Sequence, residues 1–159
     1  FVDFDAELFA QTTRGGDLDG VAWDGSGTTA VVVLITETWI ICANAGDSRA
    51  VLSRRNGVVA LSFDHKPNGA REKMRIESAG GYVKFGRVDG DLAVSRGFGD
   101  FHLKSREGDY VRKGKDQKVC CVPDIIHVKR QNYKDEFIFL GSDGIWDVIT
   151  NEECVRMVS

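Results

Sequence analysis

The stretch that most constrains this chain is an apolar run that ends in an Asp-Gly turn, residues 137–148 (FIFLGSDGIWDV). An apolar run of this length bounded by turn formers predicts a strand buried on both faces. Asp143 would lie at the end of that strand, where a carboxylate needs a hydrogen bond, an ion pair or a cation. If a helical turn follows Gly144, Asp147 lies on the same side as Asp143. Two facing carboxylates favour a metal ion between them; the alternative is that Asp143 caps a turn and Asp147 is only solvated.

Strand patterns dominate the rest of the chain. A β-branched run at 31–35 and a second apolar run at 39–43 predict a hairpin of two buried strands. Asn56-Gly57 predicts another hairpin, because this dipeptide suits two-residue strand turns. Helices separate groups of hairpins instead of alternating with single strands, so the order predicts an α+β fold with antiparallel sheets covered by helices. The other predicted elements are a helix near 4–10, strands at 49–53, 58–61 and 125–128, a helix at 70–79 with Met74 and Ile76 facing inward, hairpin arms at 82–85 and 92–94 around Asp89-Gly90, and a last helix begun by a Thr150–Glu153 capping box.

The overall composition excludes several classes of protein. A length of 159 residues with 42% hydrophobic and 28% charged residues is typical of one soluble globular domain. A net charge of -3 gives no general attraction to nucleic acid or to acidic membranes. The sequence shows no membrane-spanning apolar run and no signal peptide, so we expect a cytoplasmic or nuclear protein. The four cysteines (Cys42, Cys120, Cys121 and Cys154) lack the spacing of a zinc site and are expected to be free thiols.

Three aspartates share one context, in which a small residue, an aspartate and a turn follow one another. They are Asp47 in Gly-Asp-Ser, Asp100 in Gly-Asp and Asp143 in Ser-Asp-Gly. Each alone is typical of an Asx turn, but together they favour a hard cation such as magnesium or manganese, which binds carboxylate oxygens and water. Such an ion can acidify a bound water and orient it toward phosphorus.

Six motifs follow one another along the chain, at 26–30 (SGTTA), 43–50 (ANAGDSRA), 64–67 (DHKP), 79–81 (AGG), 92–100 (LAVSRGFGD) and 142–148 (SDGIWDV). In this order they resemble the core motifs of the type 2C metal-dependent protein serine/threonine phosphatases, the PPM family. The resemblance runs from about Gly25 to the C-terminus, and residues 1–16 resemble the helix that precedes this region in the family.

The resemblance implies a fold, a site and a reaction. The fold would be an antiparallel β-sandwich flanked by helices, a four-layer αββα arrangement that is incomplete here at both ends. Asp143 would be a ligand of a binuclear Mn²⁺ or Mg²⁺ centre, and Asp47 and Asp147 would line a third, weaker metal position with Asp143. The complete enzyme would hold two or three ions and use a metal-activated water to hydrolyse phosphoserine and phosphothreonine in phosphoprotein substrates. Residues 97–118, rich in glycine and charge, would be the family's flap-like surface segment.

The sequence departs from the family pattern at both ends. The phosphate-holding arginine motif, the Asp-Gly-His-Gly-Gly motif and the late Asp-Asn motif have no counterpart here. The histidines of this chain lie in other contexts and are expected to be structural or exposed: His65, His102 and His127. We therefore expect residues 1–159, which begin with Phe1 and not with methionine, to be the central part of one catalytic domain. Alone it would be inactive, with no identifiable catalytic residue besides the metal ligands, and its open sheet edges would favour self-association.

Other readings remain open at this point. The chain could be a pseudophosphatase, a non-catalytic module that binds phosphoproteins or a kinase, although the retained aspartates favour an enzyme. An unrelated hydrolase with an aspartate nucleophile is disfavoured, because the Asp-x-Asp spacing of such enzymes is absent around Asp143. Arg49 and Arg96 are expected either to hold acidic residues or to touch phosphate. Trp39 and Trp146 are expected to be core aromatic residues.

Overall fold

The computed structural model describes residues 1–13, 25–104 and 116–159, which form helices and antiparallel strands. This mixture confirms the predicted α+β class. Within those three segments, no helix has the length and apolar character needed to cross a membrane. The elements are α1 (Val2–Thr13), β1 (Gly27–Thr28), β2 (Ala30–Ile35), β3 (Trp39–Ala45), β4 (Arg49–Arg54), β5 (Gly57–Ala60), α2 (Ala70–Ser78), β6 (Val83–Lys84), β7 (Arg87–Val88), β8 (Phe98–Gly99), a 3₁₀ turn (Phe101–Leu103), β9 (Asp124–Lys129), β10 (Asp135–Gly141), α3 (Asp143–Trp146) and α4 (Asn151–Val158).

The chain divides into two compact units, each made of two stretches of sequence. The first unit comprises Phe1–Thr29 and His65–Pro123, and the second comprises Ala30–Asp64 and Asp124–Ser159. The three aspartates Asp47, Asp143 and Asp147 all belong to the second unit.

The second unit is a sandwich of two antiparallel sheets, in the strand orders β2-β3-β9 and β10-β4-β5. Side chains at alternate positions of β3 and β4 point into the space between the sheets, as the pleat requires. Val51, on the other face of β4, packs against Trp146 of α3 and Cys154 of α4. β4 is therefore buried on both faces. The core between the sheets consists of Ile40, Cys42, Ala50, Leu52 and Leu61.

The first unit has its own core, around α2, and a buried ion pair that holds α1. Lys104 Nζ lies 2.8 Å from Asp5 Oδ2, and neither side chain has exposed surface. The Gly99 N–H donates to the same carboxylate at 2.8 Å. α1 is thus fixed to the segment that follows β8. The core of this unit is made of Ile76, Val88, Leu103 and Val119.

Two strands predicted to be buried are edge strands instead. In β2 the side chains of Val32 and Leu34 are 52% and 58% exposed. β10 lies at the edge of its sheet, and Leu140 is 45% exposed, so the prediction of a strand buried on both faces is wrong. Trp39, at the start of β3, is 41% exposed, whereas Trp146 is buried as predicted. An apolar run indicates a strand, but only the neighbouring elements decide which of its faces is covered.

Two predictions in the first unit are also corrected. Met74 is 64% exposed whereas Ile76 is fully buried. Residues two apart on a helix point in nearly opposite directions, so only one of them faces the core. β6 and β7 form a hairpin that turns at Phe85 and Gly86, and the predicted turn at Asp89-Gly90 is a second one, closed by the Val88–Leu92 bridge. Phe85 and Gly86 have positive φ, 54° and 73°, which is the conformation of a two-residue I′ turn.

The predicted surface segment 97–118 begins with buried residues. Phe98, Phe101 and Leu103 are each at most 8% exposed, and Lys104 is buried with them. Gln117 is buried too. Residues 105–115 of this segment lie outside the described residues.

Several local predictions are confirmed. Thr150 and Glu153 form the predicted capping box, in which the Thr150 N–H donates to Glu153 Oε2 at 2.8 Å. All four cysteines are buried free thiols. Burial raises the pKa of Cys42 to about 11, in line with an inert thiol.

Candidate metal centre at the end of strands β4 and β10

The candidate site lies where β4 begins and β10 ends. These strands are antiparallel, and their last paired residues at this end are Arg49 and Gly141. Asp47 lies two residues before Arg49, and Asp143 lies two residues after Gly141. Both aspartates therefore leave the strand pair at the same end, a proximity that arises from sheet register and not from sequence distance.

Asp143 and Asp147 lie one helical turn apart. Ser142 has extended backbone, with ψ of 172°, and α3 begins at Asp143 directly after it. The Asp147 N–H donates to the Asp143 carbonyl at 2.8 Å, which gives the predicted i, i+4 relationship. Both side chains are exposed. Their carboxylates are therefore accessible to a solvent cation.

Asp47 is held in a tight connection between β3 and β4. Its residue surface is 4% exposed. Gly46 adopts φ of 125°, which a residue with a side chain rarely takes. The Asn44 side-chain N–H groups donate to the Gly46 and Phe63 carbonyls at 3.1 Å each. This asparagine fixes the connection that presents Asp47.

Arg49 connects the aspartate-bearing segments of the second unit. Its Nε and Nη2 donate to both oxygens of Asp64 at 2.8 and 2.9 Å, and its Nη1 donates to Asn151 Oδ1 at 2.8 Å. The guanidinium also lies 5.1 Å from the centre of the Trp146 ring. The hydrogen bonds that Arg49 donates to Asp64, together with the charges of Asp64 and Asp147, raise the pKa of Arg49, against the effect of burial. Of the two roles predicted for Arg49, holding an acidic residue is the one observed.

Trp146 and Gly141 complete the support of α3. The Trp146 Nε1–H donates to the Gly141 carbonyl at 2.7 Å, and the Phe139 ring meets the indole edge-on at 5.6 Å. A side chain on Gly141 would meet the Trp146 and Phe139 rings at 3.1–3.3 Å. The glycine therefore lets the indole close over the end of β10 and fixes the direction in which Asp143 leaves the strand.

The donors at this end are carboxylate oxygens, the ligands that Mg²⁺ and Mn²⁺ prefer, and the fit in donor chemistry is good. The fit in number is incomplete. Across residues 1–13, 25–104 and 116–159, no group of three or more His, Cys, Asp or Glu side chains is arranged to hold a metal ion. The structure brings Asp47 and Asp143 to one end of a strand pair without closing a ligand set.

The other singled-out residues lie in different environments. Asp100 belongs to the first unit, has a left-handed backbone with φ of 49°, and is 8% exposed. Burial raises the pKa of its carboxyl group, although the charges of His102 and Lys104 oppose this. The histidines are structural or exposed, as predicted: His65 is buried, exposed His102 lies 3.2 Å from Asp91, and His127 packs edge-on against Trp39.

Sequence reasoning missed two acidic residues that organise positive charge. Asp64 begins the motif at 64–67 without a predicted role, yet it pairs with Arg49. Glu72 lies in none of the six motifs, yet it is buried and binds both Arg75 and Arg96. The Glu72–Arg75 spacing of three residues on one helix was the available signal.

Comparison with known proteins gives a consistent result. The family model described as "Protein phosphatase 2C" matches residues 5–159. The chain is 46% identical over 138 residues to protein phosphatase 2C homolog 2 of Saccharomyces cerevisiae, covering 85% of this chain and 29% of that protein. It is 50% identical over 135 residues to a probable protein phosphatase 2C of Caenorhabditis elegans, covering 85% of this chain and 37% of that protein.

Among solved structures, this chain is similar to a C. elegans sex-determining protein, with a TM-score of 0.78 and 25% identity. The match covers 99% of this chain and 35% of the C. elegans chain. The chain spans about a third of the length of these relatives.

Proposed function

Since this chain belongs to the protein phosphatase 2C family, whose members are metal-dependent hydrolases, we propose that the protein containing it removes phosphate from phosphoserine and phosphothreonine residues of other proteins. The observation that carries the proposal is the position of Asp47 and Asp143. They come from separate family motifs, and sheet register brings both to one end of β4 and β10. Phosphoprotein substrates follow from this activity; we propose neither nucleic acid nor a membrane as a partner.

We propose that Asp143 is a ligand of the main metal centre and that Asp47 and Asp147 serve a third position beside it. The cofactor would be Mn²⁺ or Mg²⁺, since all three donors are carboxylates. When bound, such an ion supplies Lewis-acid activation of a water and of phosphoryl oxygens. The chain's own part is to hold these carboxylates in place. Arg49 contributes to this. At the start of β4 it binds Asp64 and Asn151, and its guanidinium lies over the Trp146 ring.

We also propose that residues 1–159 alone have no phosphatase activity, because the carboxylates in the part of the chain that the structure describes do not close a metal site. The open edges of β2 and β10 are proposed as places where further strands, or a second copy of the chain, add to the sheets. A cytoplasmic or nuclear location is proposed for the whole protein.

The test is phosphate release by the purified full-length protein. Peptides carrying phosphothreonine, phosphoserine or phosphotyrosine are compared with Mn²⁺ and with excess EDTA. Release from the first two, abolished by EDTA and restored by Mn²⁺, is the expected result. Binding of the phosphothreonine peptide without any release of phosphate would instead identify a pseudophosphatase. Residues 1–159 alone, which we propose to be inactive, serve as the reference.

A further inference from the structure

One buried carboxylate in the first unit, that of Glu72 on α2, receives hydrogen bonds from three side chains. Arg96 Nη2 donates to Glu72 Oε1 at 2.7 Å. Arg75 Nη1 and Ser95 Oγ each donate to Glu72 Oε2 at 2.6 Å. The Glu72, Arg75 and Arg96 side chains are only 8%, 13% and 9% exposed. Two guanidinium groups therefore share a single carboxylate away from water.

Other N–H groups of these arginines bind the backbone of two segments that are far apart in sequence. Arg75 Nη2 donates to the Ser95 carbonyl at 2.6 Å, and Arg75 Nε donates to the Gln117 carbonyl at 3.0 Å. Arg96 Nη1 donates to the Val122 carbonyl at 3.0 Å. One segment lies at residues 95–97 and the other at residues 117–122. Each guanidinium thus connects Glu72 to main-chain carbonyl groups.

The two segments are also joined directly, but only by a few backbone bonds. The Gly97 N–H donates to the Cys120 carbonyl at 3.1 Å, and the Cys120 N–H donates to the Ser95 carbonyl at 3.2 Å. Arg96 and Cys120 form an isolated parallel bridge. So short a pairing is marginal by itself, since isolated strand pairs need packing or side-chain support. The Glu72 cluster supplies that support.

Glu72 carries the negative charge that Arg75 and Arg96 share. Without that charge both guanidinium groups would lose the carboxylate they bind, and removing one partner of a buried ion pair is strongly destabilising. Burial alone would raise the pKa of Glu72, but hydrogen bonds from Arg96 and Ser95 and the charge of Arg75 hold it at about 2. The carboxylate is therefore ionised at every physiological pH.

We infer that Glu72 is a positioning residue that joins residues 95–97 to residues 117–122 through Arg75 and Arg96, so that the two segments open and close as one unit. Phe98 and Gly99 follow the first segment directly and pair with Thr28 and Gly27 in the β1–β8 ladder. The cluster thereby also sets the position of Asp100. This inference does not depend on the proposed phosphatase activity.

The test is hydrogen–deuterium exchange of the full-length protein and its Glu72→Gln variant, followed by mass spectrometry. Peptides covering 92–98 and 117–122 are expected to exchange at least tenfold faster in the variant. Under conditions in which opening limits exchange, both peptides should show bimodal envelopes with one common rate. Glu77→Gln is the matched control, because it removes the same charge from the same helix at an exposed position. There, Glu77 Oε1 lies 3.8 Å from Lys73 Nζ.

A second variant keeps the inference testable if Glu72→Gln does not fold. Arg75→Lys retains the positive charge but has a single nitrogen, which cannot reach Glu72 and both carbonyl groups together. It should accelerate exchange in the same two peptides. Acceleration in only one peptide, different rates in the two, or equal acceleration throughout the chain would overturn the inference.

Discussion

Asp47 and Asp143 each lie two residues beyond the Arg49–Gly141 pair, at the same end of the β4–β10 ladder. Nearly a hundred residues separate them in sequence, so their common position depends on the register of two strands. A one-residue slip would send the side chains of one strand to the opposite face of the sheet. Residues that fix this end of the ladder therefore matter for the site without being ligands.

Arg49→Lys should lower the free energy of unfolding by about 2 kcal/mol. Lysine cannot reproduce the paired hydrogen bonds to Asp64 or the bond to Asn151, and their loss leaves a mostly buried carboxylate underbonded. Urea denaturation followed by tryptophan fluorescence measures the change. Lys73→Ala removes an exposed ion pair with Glu77 and should cost less than 0.5 kcal/mol, roughly. Equal losses in both variants would contradict the role given to Arg49.

Gly27→Ala should destabilise the first unit by about 3 kcal/mol. A Cβ at this position would overlap the Asp100 carboxylate and come within 2.7 Å of the Phe98 carbonyl oxygen, and overpacking at this level forces backbone to move. Thermal unfolding of the Gly27→Ala, Asp100→Ala and double variants measures the coupling. The double variant should be more stable than the sum of the two single effects predicts. In it the new Cβ no longer meets the Asp100 carboxylate, and only its contact with the Phe98 carbonyl oxygen remains. Strict additivity of the two single effects would show that Gly27 and Asp100 do not meet.

From the lowered pKa of Glu72 we expect the free energy of unfolding to depend on pH. Its pKa is about 2 in the folded chain against an ordinary value of 4.5, so the ionised group stabilises the fold above pH 4.5. That stabilisation, about 3 kcal/mol, should disappear as pH falls toward 2. The stability advantage of the wild type over Glu72→Gln should shrink over this range, as measured by urea denaturation at several pH values. The difference between wild type and Glu77→Gln should stay small throughout. A constant advantage over Glu72→Gln would contradict the prediction.

The sequence predicts well where the strands, helices and caps of this fold lie. It does not predict which of their faces are buried. The β-branched run of β2 and the capping box at Thr150 follow from short-range preferences and occur where expected. The exposure of Val32 and Met74 does not, because it depends on which elements lie against each face. The turn at Phe85 also escaped prediction, since positive φ at a phenylalanine is uncommon.

In the candidate site, too, single residues are predictable from sequence, whereas their partners are not. Asp47, Asp143 and Asp147 were identified from motifs, and the i, i+4 relationship of Asp143 and Asp147 follows from helix geometry. The pairing of Arg49 with Asp64 and of Glu72 with Arg96 joins residues from separate elements. No local pattern specifies such partners, because they are set by the folded chain.

The role of Asp143 as a metal ligand is tested most directly by phosphate release from a phosphothreonine peptide by the full-length Asp143→Asn variant with Mn²⁺. Asparagine keeps the size of the side chain but loses the charge that binds a hard cation. Glu152→Gln, an equal change of charge at an exposed position of α4, is the control. We expect Asp143→Asn to lower kcat/KM at least about 100-fold, equivalent to about 2.7 kcal/mol, whereas the control keeps wild-type turnover. An Asp143→Asn protein as active as the Glu152→Gln control would contradict the assignment of Asp143 as a metal ligand.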